Sequence, residues 1–169
     1  MIRLARPSDL AGLAAIEHSA GQRFLGTAMA WAADDDPVPL AELEQACAAG
    51  LLWIAEGQDG QPAGFALTRP MDRDLYLAEM AVALPSQGRG LGRALLQAVR
   101  AHACAAGYRS VLLTTDRELS WNAPFYRRNG FSELAPGQLP APLAARLRLE
   151  AQAGFDPARR CAMACPAAA

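Results

Sequence analysis

The stretch from Leu75 to Arg93 constrains this chain most: Leu-Tyr-Leu-Ala-Glu-Met-Ala-Val-Ala-Leu-Pro-Ser-Gln-Gly-Arg-Gly-Leu-Gly-Arg. Leu75–Ala83 is mostly apolar with one carboxylate, Glu79, at its middle, and reads as a buried strand. Pro85 and Ser86 end it, because proline donates no ladder hydrogen bond. Gly88, Gly90 and Gly92 follow at alternate positions, and a helical pattern begins at once through Leu91, Leu95, Ala98, Val99 and His102. The stretch is therefore a strand, a glycine-rich turn and a helix.

That arrangement suits an anion. The first turn of a helix carries unpaired N–H groups and the positive end of the helix dipole. Glycines let the backbone close around a phosphate without Cβ clashes. Arg89 and Arg93 add donors and positive charge. A P-loop requires Gly-x-x-x-x-Gly-Lys-Ser/Thr, which the chain lacks. The dinucleotide fingerprint fails because Arg93 stands where its last small residue belongs. Gln87-x-x-Gly90-x-Gly92 remains. Taken alone it is also compatible with a turn that merely joins a strand to a helix.

With 169 residues, 52% hydrophobic and 20% charged, the chain is long enough for one domain with a sizeable core. A formal net charge of −1 gives no basic field for nucleic acid or an anionic membrane. No apolar run reaches the ~20 residues of a membrane span, and the N-terminus lacks a signal-peptide core, so a cytoplasmic protein is expected. Cys47, Cys104, Cys161 and Cys165 form no Cys-x-x-Cys pair and only two histidines are present, so no metal site is expected and the thiols are read as reduced and buried.

The remaining elements follow from pattern. Ile2–Ala5 is a short strand, and Ser8 is a candidate N-cap for a helix reaching about Gln22. Residues 24–37 have little pattern. Their acidic run Asp34-Asp35-Asp36 reads either as a solvated loop or as part of a pocket for a cationic substrate. A helix over 39–49 stops at Gly50. Leu51–Glu56, a turn at Asp59-Gly60, Gln61–Thr68, a turn over 69–74 and Leu75–Ala83 form an antiparallel meander. The helix after the glycine loop stops at Gly107, and Tyr108–Thr115 is a strand parallel to Leu75–Ala83. A short helix over 120–128 closes at Asn129-Gly130. A strand over 131–134, a helix over 143–153 stopped by Gly154, and a last strand over 159–165 complete a single domain of residues 1–165, with 166–169 as a loose tail.

The Glu-bearing strand, Gln87-x-x-Gly90-x-Gly92, and Phe125-Tyr126-x-x-x-Gly130-Phe131 together resemble the Gcn5-related N-acetyltransferase (GNAT) superfamily over roughly residues 51–134. The resemblance implies an α/β (α+β) fold with a mixed, mostly antiparallel central sheet and helices on both faces. It implies acetyl-CoA as acetyl donor, no metal, and a small-molecule or peptide amine as acceptor, with no nucleic-acid or membrane partner. Family precedent favours a homodimer. It also implies that the main chain of Met80, Ala81 and Val82 pairs with the pantetheine arm, that N–H groups of Gly88, Arg89, Gly90, Leu91, Gly92 and Arg93 hold the pyrophosphate, and that Gln87 is a cofactor-binding residue. Asn122 and Phe125 would join the cofactor contacts, Tyr126 would be the general acid, and Glu79 would assist amine deprotonation. One position departs: the family's Asn seven residues before the tyrosine is Leu119 here, and the nearby Asn122 either takes a related role or caps the short helix.

The chemistry agrees with the roles. An ammonium is not a nucleophile, so a base must take its proton. A carboxylate in an apolar strand is desolvated, which makes it a better base. A free N–H near Met80–Val82 would stabilise an oxyanion. A thiolate with pKa near ~8.5 needs only modest protonation help, and a tyrosine near ~10 can provide it. His18 and His102 read as helix-face residues, and no Cys–His pair has nucleophile spacing. The competing function is a non-catalytic acyl-CoA-binding sensor, which would need neither Tyr126 nor Glu79.

Overall fold

The computed structural model describes residues 1–167. Among them seven strands form one sheet: β1 (Ile2–Leu4), β2 (Leu52–Glu56), β3 (Pro62–Met71), β4 (Asp74–Val82), β5 (Ser110–Asp116), β6 (Ser132–Glu133) and β7 (Arg160–Pro166). Their order is β1-β2-β3-β4-β5-β7-β6. The helices are α1 (Leu13–Gly21), α2 (Leu40–Ala48), α3 (Leu91–Ala105), α4 (Ala123–Arg128) and α5 (Ala141–Gln152). This is the expected α/β class with a mixed, mostly antiparallel sheet. The β1–β2, β2–β3, β5–β7 and β6–β7 pairs are antiparallel, and β4–β5 is parallel. No helix among the described residues is long and apolar enough to cross a membrane.

The chain divides into two compact units. The first holds 1–69 and 77–99; the second holds 70–76 and, among the described residues, 100–167. In the first, β2 is buried from Leu52 to Ala55 and β3 from Ala63 to Thr68. Consecutive buried residues on a strand mean that both sheet faces are covered. Leu10, Leu13 and Ile16 before and on α1, and Leu43 and Ala46 on α2, pack with Leu52, Ile54, Phe65, Leu67 and Ala81. Arg3 holds the sheet edge, donating to Asp9 and Glu56.

In the second unit, β7 lies between β5 and β6: Met163 faces Leu113 on one side and Glu133 on the other. Leu143 on α5 and Met163 on β7 are fully enclosed. A buried polar network joins the strands to α5. The Glu150 carboxylate accepts from Thr114 Oγ1 at 2.6 Å, Arg146 Nε at 2.9 Å and Arg160 Nε at 2.9 Å. The Tyr76 hydroxyl lies 3.0 Å from Thr114 Oγ1.

The structure moves several boundaries. Ser8 lies inside a 3₁₀ turn, Pro7–Gly12, whose entry is closed by the Asp9 carboxylate accepting the Arg6 N–H at 2.7 Å. Ser8 is therefore not the cap of α1. The expected polar turn over 69–74 shrinks to Asp72 and Arg73, with Asp72 at φ 54°; β3 lengthens to Met71, and β4 starts and ends one residue earlier than expected. Pro166 belongs to β7, and the buried Ala167 donates its N–H to the Arg109 carbonyl, so these two residues are not a loose tail. The rest of the expected tail, 168–169, lies outside the described residues.

Candidate active site

β4 carries Glu79, half-buried, with its Oε1 accepting the Met80 N–H at 3.0 Å. Ala81 is buried and Val82 half-buried. The registered ladder between β4 and β5 covers Leu75 and Tyr76. On the β3 side, Gly64 allows unusually close approach: a Cβ there would stand 2.8 Å from the Ala81 carbonyl oxygen and 3.0 Å from Val82 Cγ2.

After β4 the chain makes a 3₁₀ turn, Leu84–Ser86, begun by Ala83 and shaped by Pro85. Gln87 then folds its side chain back. Its Nε2 donates to the Val82 carbonyl at 2.8 Å, and its Oε1 accepts from Arg23 Nη1. Gly88 and Gly90 adopt φ of 74° and 83°, and a Cβ at either would meet nothing within 4 Å. Their requirement is therefore the left-handed backbone, not space. The first intrahelical bond of α3 runs from Ala94 N to Gly90 O at 3.0 Å. The N–H groups of Leu91, Gly92 and Arg93 thus belong to the helix's first turn, where no carbonyl four residues back is available. Arg89 and Arg93 are exposed there. Left-handed glycines, open first-turn N–H groups and two arginines match the needs of a pyrophosphate.

Tyr126 sits on α4 in the second unit. The helix ends in a Schellman motif: Phe131 N–H bonds the Tyr126 carbonyl at 3.1 Å and Gly130 N–H bonds the Arg127 carbonyl at 3.1 Å, with Gly130 at φ 89°. The motif brings residues 126 and 131 together, and their rings meet edge-on at 5.6 Å. Phe125 packs edge-on to Tyr126 at 5.3 Å. The Phe-Tyr-x-x-x-Gly-Phe spacing therefore has a structural meaning, since it fixes the tyrosine ring at a helix end. Asn122 occupies the N-cap position of α4, but its side chain makes no capping hydrogen bond. The capping reading holds for its place and not for its bond.

The structure adds Glu17, a residue on α1. It lies half-buried, with both carboxylate oxygens near the Val38 N–H, at 3.1 and 3.3 Å. Burial and then the charge of Glu79 push its pKa up to about 7, with Glu42 and Asp35 adding to the effect against the Val38 hydrogen bond. A carboxylate on the stripe of Leu13 and Ile16 was the available signal. Asp34, Asp35 and Asp36 are exposed. His18 and His102 lie on α1 and α3. Cys161 and Cys165 are buried thiols, burial pushing Cys161 up to about 11, whereas Cys104 is exposed against the expectation of a buried thiol. No group of three or more His, Cys, Asp or Glu able to hold a metal occurs among the described residues.

A family model described as an acetyltransferase (GNAT) domain matches residues 48–133. This span contains Glu79, the glycine loop and Tyr126, and the chain belongs to the GNAT acetyltransferase family. The fold agrees with solved structures. A GNAT-family acetyltransferase from Staphylococcus aureus Mu50 is 17% identical at a TM-score of 0.72, covering 99% of this chain and 98% of its own. The PaiA N-acetyltransferase of Thermoplasma acidophilum, solved with coenzyme A, is 16% identical at 0.71, covering 98% of both chains. The ribosomal-protein-alanine N-acetyltransferase of Brucella melitensis is 26% identical at 0.63, covering 80% of this chain and 86% of its own.

Proposed function

We propose that the protein is an acetyl-CoA-dependent N-acetyltransferase working as a single domain, in which an amine attacks the acetyl thioester directly. The observation that carries this reading is the turn after β4, where left-handed Gly88 and Gly90 lead into the open first turn of α3. Acetyl-CoA supplies the activated acetyl group. The N–H groups from Gly88 to Arg93 hold its pyrophosphate, with Arg89 and Arg93 adding charge. The main chain of Met80, Ala81 and Val82 pairs with the pantetheine arm as a further strand would, and Asn122 and Phe125 contribute contacts. Glu79 leaves the Met80 N–H as the arm pairs with β4, and that N–H then polarises the thioester carbonyl.

Glu79 takes a proton from the acceptor's ammonium, directly or through water, with Glu17 sharing the negative charge that draws the cation in. Tyr126 gives its hydroxyl proton to the departing thiolate. The acceptor is a primary amine. The Brucella melitensis relative is a ribosomal-protein-alanine N-acetyltransferase, which puts a peptide α-amine among the acceptors to assay.

The test is turnover of acetyl-CoA with a panel of amines, including peptides with N-terminal alanine, read by mass spectrometry of the product. Tyr126→Phe is expected to lower kcat by about 10²–10⁴-fold, the range of acid catalysis, while binding acetyl-CoA as the parent does. Tight binding of acetyl-CoA with no acetylated product would favour a CoA-ester sensor. Absence of binding would overturn the reading.

A further inference from the structure

Two hydrogen bonds tie the end of α1 and the turn that follows it to the segment entering the glycine loop, and a third braces that segment internally. Ser19 Oγ accepts the Leu84 N–H at 3.0 Å. Arg23, on the 3₁₀ turn Gln22–Phe24, donates from Nη1 to Gln87 Oε1. Gln87 Nε2 donates in turn to the Val82 carbonyl at 2.8 Å. Gln87 opens the glycine motif, yet its amide is bonded within the protein at both ends. Arg23 lies 64 residues earlier in the chain, outside any phosphate motif. The fold nevertheless brings its guanidinium to the residue where the loop starts.

An exposed side-chain pair contributes little to stability, and Gln87 is neutral, so a staple alone does not require an arginine. What a guanidinium supplies beside such a loop is fixed charge and a planar fork of donors that matches phosphate oxygens. The Gln87 oxygen accepts from one arm of that fork. Gln87 itself is held by the carbonyl that ends β4. The chain Val82–Gln87–Arg23 thus seats a cation beside the residue that opens the glycine loop.

We propose that Arg23 binds the pyrophosphate of acetyl-CoA, with Gln87 as its positioning residue. This rests on the reading of residues 87–93 as the cofactor loop. Arg23 then adds to Arg89 and Arg93 a third arginine, one that no phosphate motif encodes.

The experiment compares three acetyl donors in the full-length protein: acetyl-CoA, its 3′-dephospho form, and S-acetylpantetheine, which has no phosphate. Arg23→Ala is expected to lower kcat/KM for both phosphate-bearing donors by about 10- to 100-fold, the worth of a hydrogen bond to a charged group, and to leave S-acetylpantetheine unchanged. Its acetyl-CoA affinity should also depend less on salt. Arg23→Gln keeps a donor for Gln87 and removes the charge, so it should show the same donor pattern even if Arg23→Ala does not fold. Gln87→Ala should give a smaller loss of the same pattern. Equal losses with all three donors would show a structural staple and overturn the proposal, as would no loss at all. A loss confined to acetyl-CoA would assign the contact to the 3′-phosphate and overturn the pyrophosphate assignment. A parent protein that does not bind acetyl-CoA fails the proposed function itself; a parent that binds it, with an indifferent Arg23→Ala, fails only this inference.

Discussion

Glu17 offers a measurable consequence of the acidic surroundings on α1. Its carboxyl is pushed from the ordinary 4.5 to about 7, first by burial and then by Glu79, Glu42 and Asp35. An acid whose folded pKa is raised holds its proton more tightly folded than unfolded. Stability from this group is therefore present at low pH, declines as pH rises past 4.5, and is gone above about 7. At about 1.4 kcal/mol per pKa unit, the penalty of ionising it in the folded protein is about 3–4 kcal/mol before screening. Solvent at the half-buried carboxylate screens part of this and leaves about 2 kcal/mol.

Glu17→Gln removes the titration and keeps an oxygen for the Val38 N–H. The variant should match the parent at pH 5 and exceed it at pH 8.5 by about 2 kcal/mol, less the ~1 kcal/mol by which a charged acceptor outdoes a neutral one. For a chain of this size that is a melting temperature higher by about 2–4 °C at pH 8.5 and unchanged at pH 5. Thermal denaturation at the two pH values reads it. Glu79→Gln should give a smaller version of the same pattern, because its charge is the lesser cause. An offset between parent and Glu17→Gln that is the same at both pH values would refute the reasoning.

Two other perturbations test the scaffold around the site. Gly64→Ala puts a Cβ 2.8 Å from the Ala81 carbonyl oxygen, so β3 and β4 must shift; it should cost about 1–3 kcal/mol in urea denaturation and weaken acetyl-CoA binding, and an unchanged midpoint would refute the close approach. Burial pushes Glu150 up, but the bonds from Arg160 and Thr114, with the Arg160 and Arg146 charges, more than offset it and hold the carboxyl below its ordinary range. Its contribution is present above the ordinary carboxylate pKa and lost as pH falls through the lower folded value. Glu150→Ala should therefore destabilise by about 3–5 kcal/mol near neutrality and by less in acid, and a loss independent of pH would contradict this.

Much of the fold was legible because its signals are local. Gly50, Gly107, Gly130 and Gly154 were each read as helix stops, and each has positive φ just past a helix end. At all four sites the next residue bonds five positions back, as Leu51 does to Ala46 and Phe155 to Glu150. The meander and the parallel β5 followed from alternation and connection length. Pattern failed where periodicity is absent: the 3₁₀ turns at Gln22–Phe24 and Ala30–Asp34 have no sequence rhythm, and Ser8 read as a cap because the Asp9 closure one residue away looks similar in sequence.

By itself, then, the sequence determined the element order, the glycine loop opening α3 and the ring-fixing motif around Tyr126, because each depends on backbone preferences within a few residues. Only the tertiary structure decided that β7 inserts between β5 and β6, that Glu17 feels the charge of Glu79, and that Arg23 meets Gln87. These depend on strand pairing, desolvation and contacts across tens of residues. Such quantities arise only when distant segments are packed together, and no local pattern encodes them.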